Sequence, residues 1–550
     1  MSPIPTQQQI EWQQMERSMF VHYGPAAWQG REYDNGTTPL SEINPKQLDT
    51  DQWCEAALSW GAKMIIFVAK HVGGFCWWQT DTTEYSVKNT PWRSGKGDVL
   101  ADLSASCKKF GLKLGVYIYP GDDSWGAYLG GGGKTEDPAR QEAYNKVYRQ
   151  QLTEVLTRYG EIFEVWFDGS CVIEMEDILK DRAPGTIVFQ SPHANIRWCG
   201  NEEGELPRDA WSTLDRNALE SGVATAVQSD PDGNAWAPLE ADTTLYDHFW
   251  FWSPEKEKKR KSLEHLLRIY YQSVGRGGVL LLNSSPDITG RIPERDMALY
   301  REFGAELKRR FDNPVAVTAG EGKSVTLTLA EKTAINHAVV GEGIRGGERV
   351  RSYRLEAQTE NGWILLAEGR HIGHKKIFVF PAVETDCLRL TVAQAKDIPL
   401  IAELSAYFIQ SEDFESLLAL QKKSIVSYDP VTGRQIEFGT GQTACRWTID
   451  QFQEGVLDLT VDLTSFVPRA GQYFLSLLPE TGEAMQVLSA TGILEGIRTE
   501  GIVFPIKENE SYNLTRTAAI EKDGGQTTGI QICLQMKKPC GGAVVIKPAN

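Results

Sequence analysis

At 550 residues the chain is too long for one hydrophobic core, so two to four domains are expected. A net charge of −16 argues against nucleic-acid and anionic-membrane partners, and 41% hydrophobic with 24% charged content is ordinary for a globular protein. No apolar run approaches the ~20 residues that would insert into a bilayer.

The first residues, MSPIPTQQQIEWQQM, carry neither a basic segment nor an apolar stretch and do not read as a signal peptide. The protein is therefore expected to be cytoplasmic, or periplasmic or secreted after removal of a leader. From there to residue 283 short apolar runs alternate with amphipathic helical segments, the pattern of a parallel sheet with crossover helices. Candidate strands lie at 18–24, 62–71, 112–120, 162–169, 185–191, 209–213, near 248–252 and at 277–283. The intervening LDTDQWCEAALSWG, VLADLSASCKKFG and RQEAYNKVYRQQLTEVLTRYG each end on a glycine suited to a helix C-cap. Eight strands in this length point to a (β/α)8 barrel, whose active site would sit at the C-terminal strand ends. A doubly wound open sheet is the alternative, weakened because no GxGxxG or Walker-type loop follows any strand; LGGGGK (129–134) reads as a loop.

The helical PERDMALYREFGAELKRRF (293–311) closes this region. Beyond it the hydrophobic period changes to two, giving antiparallel strands in a β-sandwich and then a further β-rich segment. The expected domains are 1–312 (barrel), 313–410 (β-sandwich) and 411–550 (C-terminal, β-rich), the last two read as scaffold or as carbohydrate-binding modules. The nine cysteines form no CxxC pair or metal spacing and read as buried thiols, with Cys533 and Cys540 a candidate pair in an oxidising compartment. No cofactor and no metal are expected, and no oligomeric state is indicated.

Fourteen of the sixteen tryptophans precede residue 312, which places the chemistry in the barrel. The polar residues closing its strands are His22 and Tyr23, Lys70 and His71, Tyr119 with Asp122, Trp166 and Asp168, and Trp211 with Ser212. A carboxylate, histidines and aromatic rings suit a sugar, whose C–H faces stack on rings while its hydroxyls meet polar groups. Glycoside cleavage needs a second carboxyl, about 5–5.5 Å away for retention or ~6.5–9.5 Å for inversion. NIRWCGNEEGELPRDAWST (195–213) offers Glu202, Glu203 and Glu205 in a stretch without helix or strand period.

Several stretches then carry a resemblance: MFVHYGPAAWQGREYDNG, KHVGGFCWWQTDTTEYSVKNTPWRSGKGDVL, EVWFDG, RWCGNEEG, GNAWAPLEAD and YYQSVGRGGVLLLNSSPDITGRIPERD. In order and spacing they resemble glycoside hydrolase family 29 α-L-fucosidases, in particular the subgroup acting on branched α-1,3/1,4-linked fucose. The resemblance implies an oligosaccharide or glycan substrate and a retaining double displacement, with Asp168 as nucleophile and Glu202, rather than Glu203 or Glu205, as acid/base. It also implies that His22, His71 and Glu32 bind sugar, beside Trp166 as a wall. Trp78, Tyr119, Arg197 and Trp211 complete the candidate substrate-binding set. Three positions depart from the family pattern: Val72 in HVGGF, Gly121 in YPGD and Tyr246 in LYDHFWF. They leave open a related sugar such as L-galactose or a decorated fucose, or a carbohydrate-binding protein that has lost catalysis.

Overall fold

The computed structural model describes residues 3–422 apart from 170 and 218–228, and beyond them the backbone of ten strands between 425 and 548. Eight parallel strands form the first sheet: β1 (Arg17–Val21), β2 (Met64–Lys70), β3 (Lys113–Ile118), β4 (Glu164–Trp166), β5 (Ile187–Phe189), β6 (Arg197–Trp198), β7 (Leu239–Thr243) and β8 (Val279–Ser284). Their order is β5-β4-β3-β2-β1-β8-β7-β6, and a parallel bridge from Phe189 to Ile196 brings the two ends together. The result is the expected (β/α)8 barrel.

Local chemistry explains these elements. All seven residues of β2, MIIFVAK, are buried, because helices cover the outside of a barrel while side chains fill its inside. Asp49 and Asp98 cap the helices Thr50–Ser59 and Val99–Phe110 by accepting the backbone N–H groups of Gln52 and Ala101. Gly111 ends the second of these in the left-handed region, at φ 71°. At the N-terminal end of the barrel, helix α1 (Gln7–Met15), opened by a Thr6–Gln9 capping box, inserts Trp12 into the core.

Two strands differ from the sequence pattern. DAWST (209–213) is not a barrel strand: Thr213–Leu214 pairs antiparallel with Ala235–Trp236 outside the barrel sheet. HFWFW (248–252) forms no strand. The sixth position is filled by β6, only two residues long and too short for a periodic signal, and the seventh by LEADT. The carboxyls Glu240 and Asp242 disguise LEADT as a polar segment. Inside the barrel each receives an indole: Trp166 Nε1 donates to Glu240 at 2.7 Å, and Trp198 Nε1 to Asp242 at 2.6 Å.

Residues two apart on a strand share a face, so β4 places Glu164 below Trp166, and β7 places Glu240 below Asp242. Glu164 and Glu240 are both fully buried, and Trp12 Nε1 donates to Glu164 at 2.7 Å. Burial pushes the Glu164 carboxyl up to about 8; burial and the neighbouring Glu164 hold Glu240 well above the usual carboxyl range. The floor of the barrel therefore keeps a proton at neutral pH.

A six-stranded antiparallel sheet follows: β9 (Ala316–Glu321), β10 (Ser324–Glu342), β11 (Val350–Thr359), β12 (Gly362–Gly369), β13 (Lys376–Ala395) and β14 (Leu400–Tyr407), in the order β9-β14-β10-β13-β11-β12. Burial alternates along the start of β10, where Val325, Leu327 and Leu329 enter a core with Leu355, Phe378 and Leu404. Barrel and sheet belong to one compact unit that runs to Leu418. Within it, Glu348 accepts the Ser212 hydroxyl at 2.8 Å, and Arg310 pairs with Asp413 at 2.8 Å. The second unit, from Ala419, contains two four-stranded sheets; those containing Gln442–Trp447 and Val456–Asp462 are antiparallel throughout. Cys54, Cys76, Cys107, Cys171 and Cys199 are buried free thiols; the Cys533–Cys540 pairing lies outside the described residues. Among the described residues no helix is long and apolar enough to cross a membrane.

Candidate active site

At the C-terminal ends of the barrel strands lies a cavity of about 270 Å³ whose lining includes His22, Glu32, His71, Trp166, Asp168 and Glu202. Six of the ten residues expected from the sequence thus meet in one place.

Asp168 follows β4 with φ 54°, in the left-handed region that asparagine and aspartate tolerate best among non-glycine residues. The next residue, Gly169, donates its N–H to the Gln190 side chain. Tyr117, on the interior face of β3, donates its hydroxyl to Asp168 Oδ2 at 2.8 Å. Burial raises the Asp168 carboxyl above the ordinary value, and the Tyr117 bond opposes that rise by favouring the charged form. Trp166 stands below it, 4% exposed, its ring stacked on Phe189 at 3.7 Å between centroids.

Glu202 comes from the loop after β6, which winds around one asparagine. Asn201 Oδ1 accepts the N–H groups of Glu203 (3.1 Å) and Glu205 (3.2 Å), and Asn201 Nδ2 donates to the Glu205 carbonyl (2.8 Å). The three glutamates consequently have separate surroundings. Glu202 faces the cavity, Glu203 Oε1 lies 3.3 Å from His248 Nε2, and Glu205 pairs with Arg268 at 2.7 Å. Partial loss of solvent inside the cavity raises the Glu202 carboxyl; a hydrogen bond with Trp250 opposes this, and the negative charge of Asp168 adds to the rise.

The histidines are held neutral. Asn283 Nδ2 donates to the Trp250 carbonyl at 2.8 Å, which turns Asn283 Oδ1 toward His22 Nδ1, also at 2.8 Å. His22 therefore carries its proton on Nδ1 and offers Nε2 as an acceptor. Burial, with the adjacent His71, keeps His22 well below the usual imidazole range, and burial lowers His71 to about 4. His71 stacks on Tyr117, 5.7 Å between centroids. Glu32 accepts the Trp250 N–H at 2.8 Å and pairs with Lys256, so this carboxylate is fixed as an acceptor at the cavity wall.

The other four expected residues lie outside the lining. Trp78, in the segment after β2, is fully buried and donates to Glu154 at 2.9 Å, so its indole is engaged by the helix Gln141–Arg158. Tyr119 sits behind His71, its hydroxyl accepting the Gly130 N–H at 2.8 Å. Arg197 is 1% exposed and donates to the backbone carbonyls of Ala237 and Trp211. Trp211, 1% exposed, packs on His371 of the β-sheet region, since its segment is not a barrel strand. The departures also lie elsewhere: Val72 is in the core, 2% exposed, Gly121 is closed in by the Tyr119 ring, and Tyr246 is fully buried with its hydroxyl on Asp296.

Sequence reasoning missed Tyr33, Tyr117, Asp242 and Trp250, all of which line the cavity. Tyr117 was within reach, since it sits two residues before Tyr119 on the same strand face. Among the described residues no group of three or more His, Cys, Asp or Glu could hold a metal ion.

A family profile described as α-L-fucosidase matches residues 4–310. "Alpha-L-fucosidase 1" of Arabidopsis thaliana is 32% identical over 74% of this chain and 87% of that protein. A glycoside hydrolase 29 family member from a rumen bacterium is 26% identical, with a TM-score of 0.66, over 100% of this chain and 99% of that one. A Ruminococcus gnavus GH29 fucosidase in complex with fucose is also 26% identical with a TM-score of 0.66, over 75% of this chain and 96% of that one. Barrel, cavity and comparisons agree, and the chain belongs to the α-L-fucosidase family, glycoside hydrolase family 29, enzymes that hydrolyse O-glycosidic bonds.

Proposed function

We propose that this enzyme is a retaining exo-α-L-fucosidase that removes terminal fucose from branched oligosaccharides, with Asp168 as nucleophile and Glu202 as acid/base. The observation that carries the reading is the meeting of Asp168 and Glu202, from two different elements, in one cavity with two neutral histidines and a tryptophan wall. Asp168 attacks the anomeric carbon while Glu202 gives its proton to the departing glycosidic oxygen, forming a glycosyl-enzyme ester. Glu202, now a carboxylate, takes a proton from water, whose oxygen attacks the same carbon and restores Asp168. The raised proton affinity of Glu202 suits the acid step, and the Tyr117 hydroxyl supports Asp168 as an anion. Neutral His22 and His71 meet hydroxyls as acceptor and donor, and Glu32 accepts from another.

Fucose is favoured over a related sugar because Val72, Gly121 and Tyr246 are absent from the cavity lining. The R. gnavus relative holds fucose. The branched preference rests on the resemblance carried by RWCGNEEG (197–204) together with the other barrel stretches. The test is turnover by the purified enzyme of an aryl α-L-fucoside, an aryl α-L-galactoside and branched fucosyl oligosaccharides. Fucoside turnover abolished by Asp168→Asn is expected. Glu202→Gln is expected to slow oligosaccharides far more than activated aryl fucosides. Preference for the galactoside would overturn the sugar assignment, and the leaving-group effect appearing in Glu203→Gln instead would overturn the acid/base assignment.

A further inference from the structure

Beyond the sugar that is cleaved off lies the group that leaves, and the outer wall of the cavity is built unlike its floor. His248 lines this wall although its side chain is 62% exposed, and its backbone sits at φ 54°. Non-glycine residues are uncommon in that region, histidine being among those that enter it most often, and the conformation persists where the surroundings determine it. Here they do determine it. Phe249 N donates to the Tyr246 carbonyl at 2.9 Å, closing a tight turn around Asp247 and His248, and Asp247 N donates to the Lys259 carbonyl at 3.0 Å. Tyr246 is anchored in turn by the buried Asp296, which also pairs with Arg260. The unusual LYDHFWF sequence therefore builds a rigid turn that presents one imidazole.

His248 Nε2 lies 3.3 Å from Glu203 Oε1 and 3.6 Å from Asp247 Oδ1. Glu203 is itself held by a backbone bridge to Thr243 and is the residue after Glu202. Two apolar side chains on the same lining are left open to solvent: Tyr33, 50% exposed with its ring stacked near His71, and Leu129, 49% exposed on the glycine-rich loop. A polar pair beside exposed apolar surface is the combination that takes a sugar ring, hydroxyls on one part and C–H face on the other.

We propose that His248 with Glu203, and Tyr33 with Leu129, form the leaving-group subsite and recognise a hydroxyl-rich sugar bearing the fucose. The assignment rests on the fucosidase reading, because Glu202 must protonate the glycosidic oxygen, and Glu203 follows it in the chain. His248 and Tyr33 are thus specificity-determining residues for the leaving group.

The experiment compares kcat/KM of the full chain for a fucosylated oligosaccharide and for an aryl α-L-fucoside. His248→Gly removes the imidazole at a backbone position where glycine is at ease, so its folding is secure; Tyr33→Ala tests the apolar part independently. Each variant is expected to lower the oligosaccharide-to-aryl ratio of kcat/KM at least tenfold. A ratio unchanged in both variants, with the unaltered enzyme active on both substrates, overturns the subsite and leaves the fucosidase reading standing. Absence of fucoside turnover by the unaltered enzyme removes that reading and the subsite with it.

Discussion

Tyr117→Phe takes one oxygen from the active site and leaves the ring, with its stacking on His71 and Trp166, in place. What disappears is the 2.8 Å hydrogen bond to Asp168 Oδ2. A hydrogen bond to a charged group contributes about 1.5–3 kcal/mol, and each 1.4 kcal/mol is about a factor of ten. That bond favours the carboxylate and opposes the rise caused by burial, so losing it makes Asp168 hold its proton more tightly. The acid limb of kcat/KM therefore moves to higher pH. On that limb activity falls about tenfold to a hundredfold, with a smaller loss where Asp168 is ionised in both proteins. The assay is kcat/KM for an aryl α-L-fucoside across the acid range, beside a thermal melt. An acid limb that superimposes on that of the unaltered enzyme, or moves to lower pH, refutes the reasoning.

The buried pair in the barrel floor predicts a pH-dependent stability. A free glutamate titrates near 4.5 and Glu164 near 8, so the folded chain keeps a proton that the unfolded chain releases as pH rises between these values. Stability from this group is full below about 4.5 and declines toward pH 8; Glu164→Gln should match the unaltered Tm at pH 4 and exceed it at pH 8, and a constant difference would count against the pair. Lys256→Met leaves Glu32 without its cation and should raise KM several-fold with a smaller effect on kcat, which steady-state kinetics at one pH can check. Gly121→Ala places a Cβ 2.5 Å from the Tyr119 ring and 2.7 Å from the Ala127 carbonyl, and should cost about 1–3 kcal/mol in denaturant unfolding.

Much of the site was legible because the chemistry sits on strands with strong patterns. EVWFDG combines an apolar run with a terminal carboxylate, and Asp168 reaches the cavity because it stands just past the C-terminal end of a barrel strand. Glu202 was legible through the resemblance of its loop; the residues by themselves left three glutamates equivalent, and only the folding of the loop around Asn201 separates their surroundings. β7 was not legible, because its inward carboxyls are satisfied by indoles from other strands, a pairing between distant parts of the chain that no local period reports. Trp211 and Arg197 misled for the opposite reason. Aromatic and cationic residues near a motif look like ligands for a sugar, yet here they seal the contact between barrel and sheet.

The left-handed backbone at Asp168 has a consequence for how this protein responds to selection. The residue combines a half-buried acid, raised by the loss of solvent around it, with a conformation that glycine adopts freely, so the position is held against the preference of the fold. Replacing it by glycine would relax the chain and remove the half-buried carboxyl together. Screens that reward heat resistance alone should therefore enrich Asp168→Gly and, on the proposed role of Asp168 as nucleophile, inactive enzyme with it. Any effort to harden this protein has to select for turnover at the same time, because the residue proposed as its nucleophile is also one of its least comfortable.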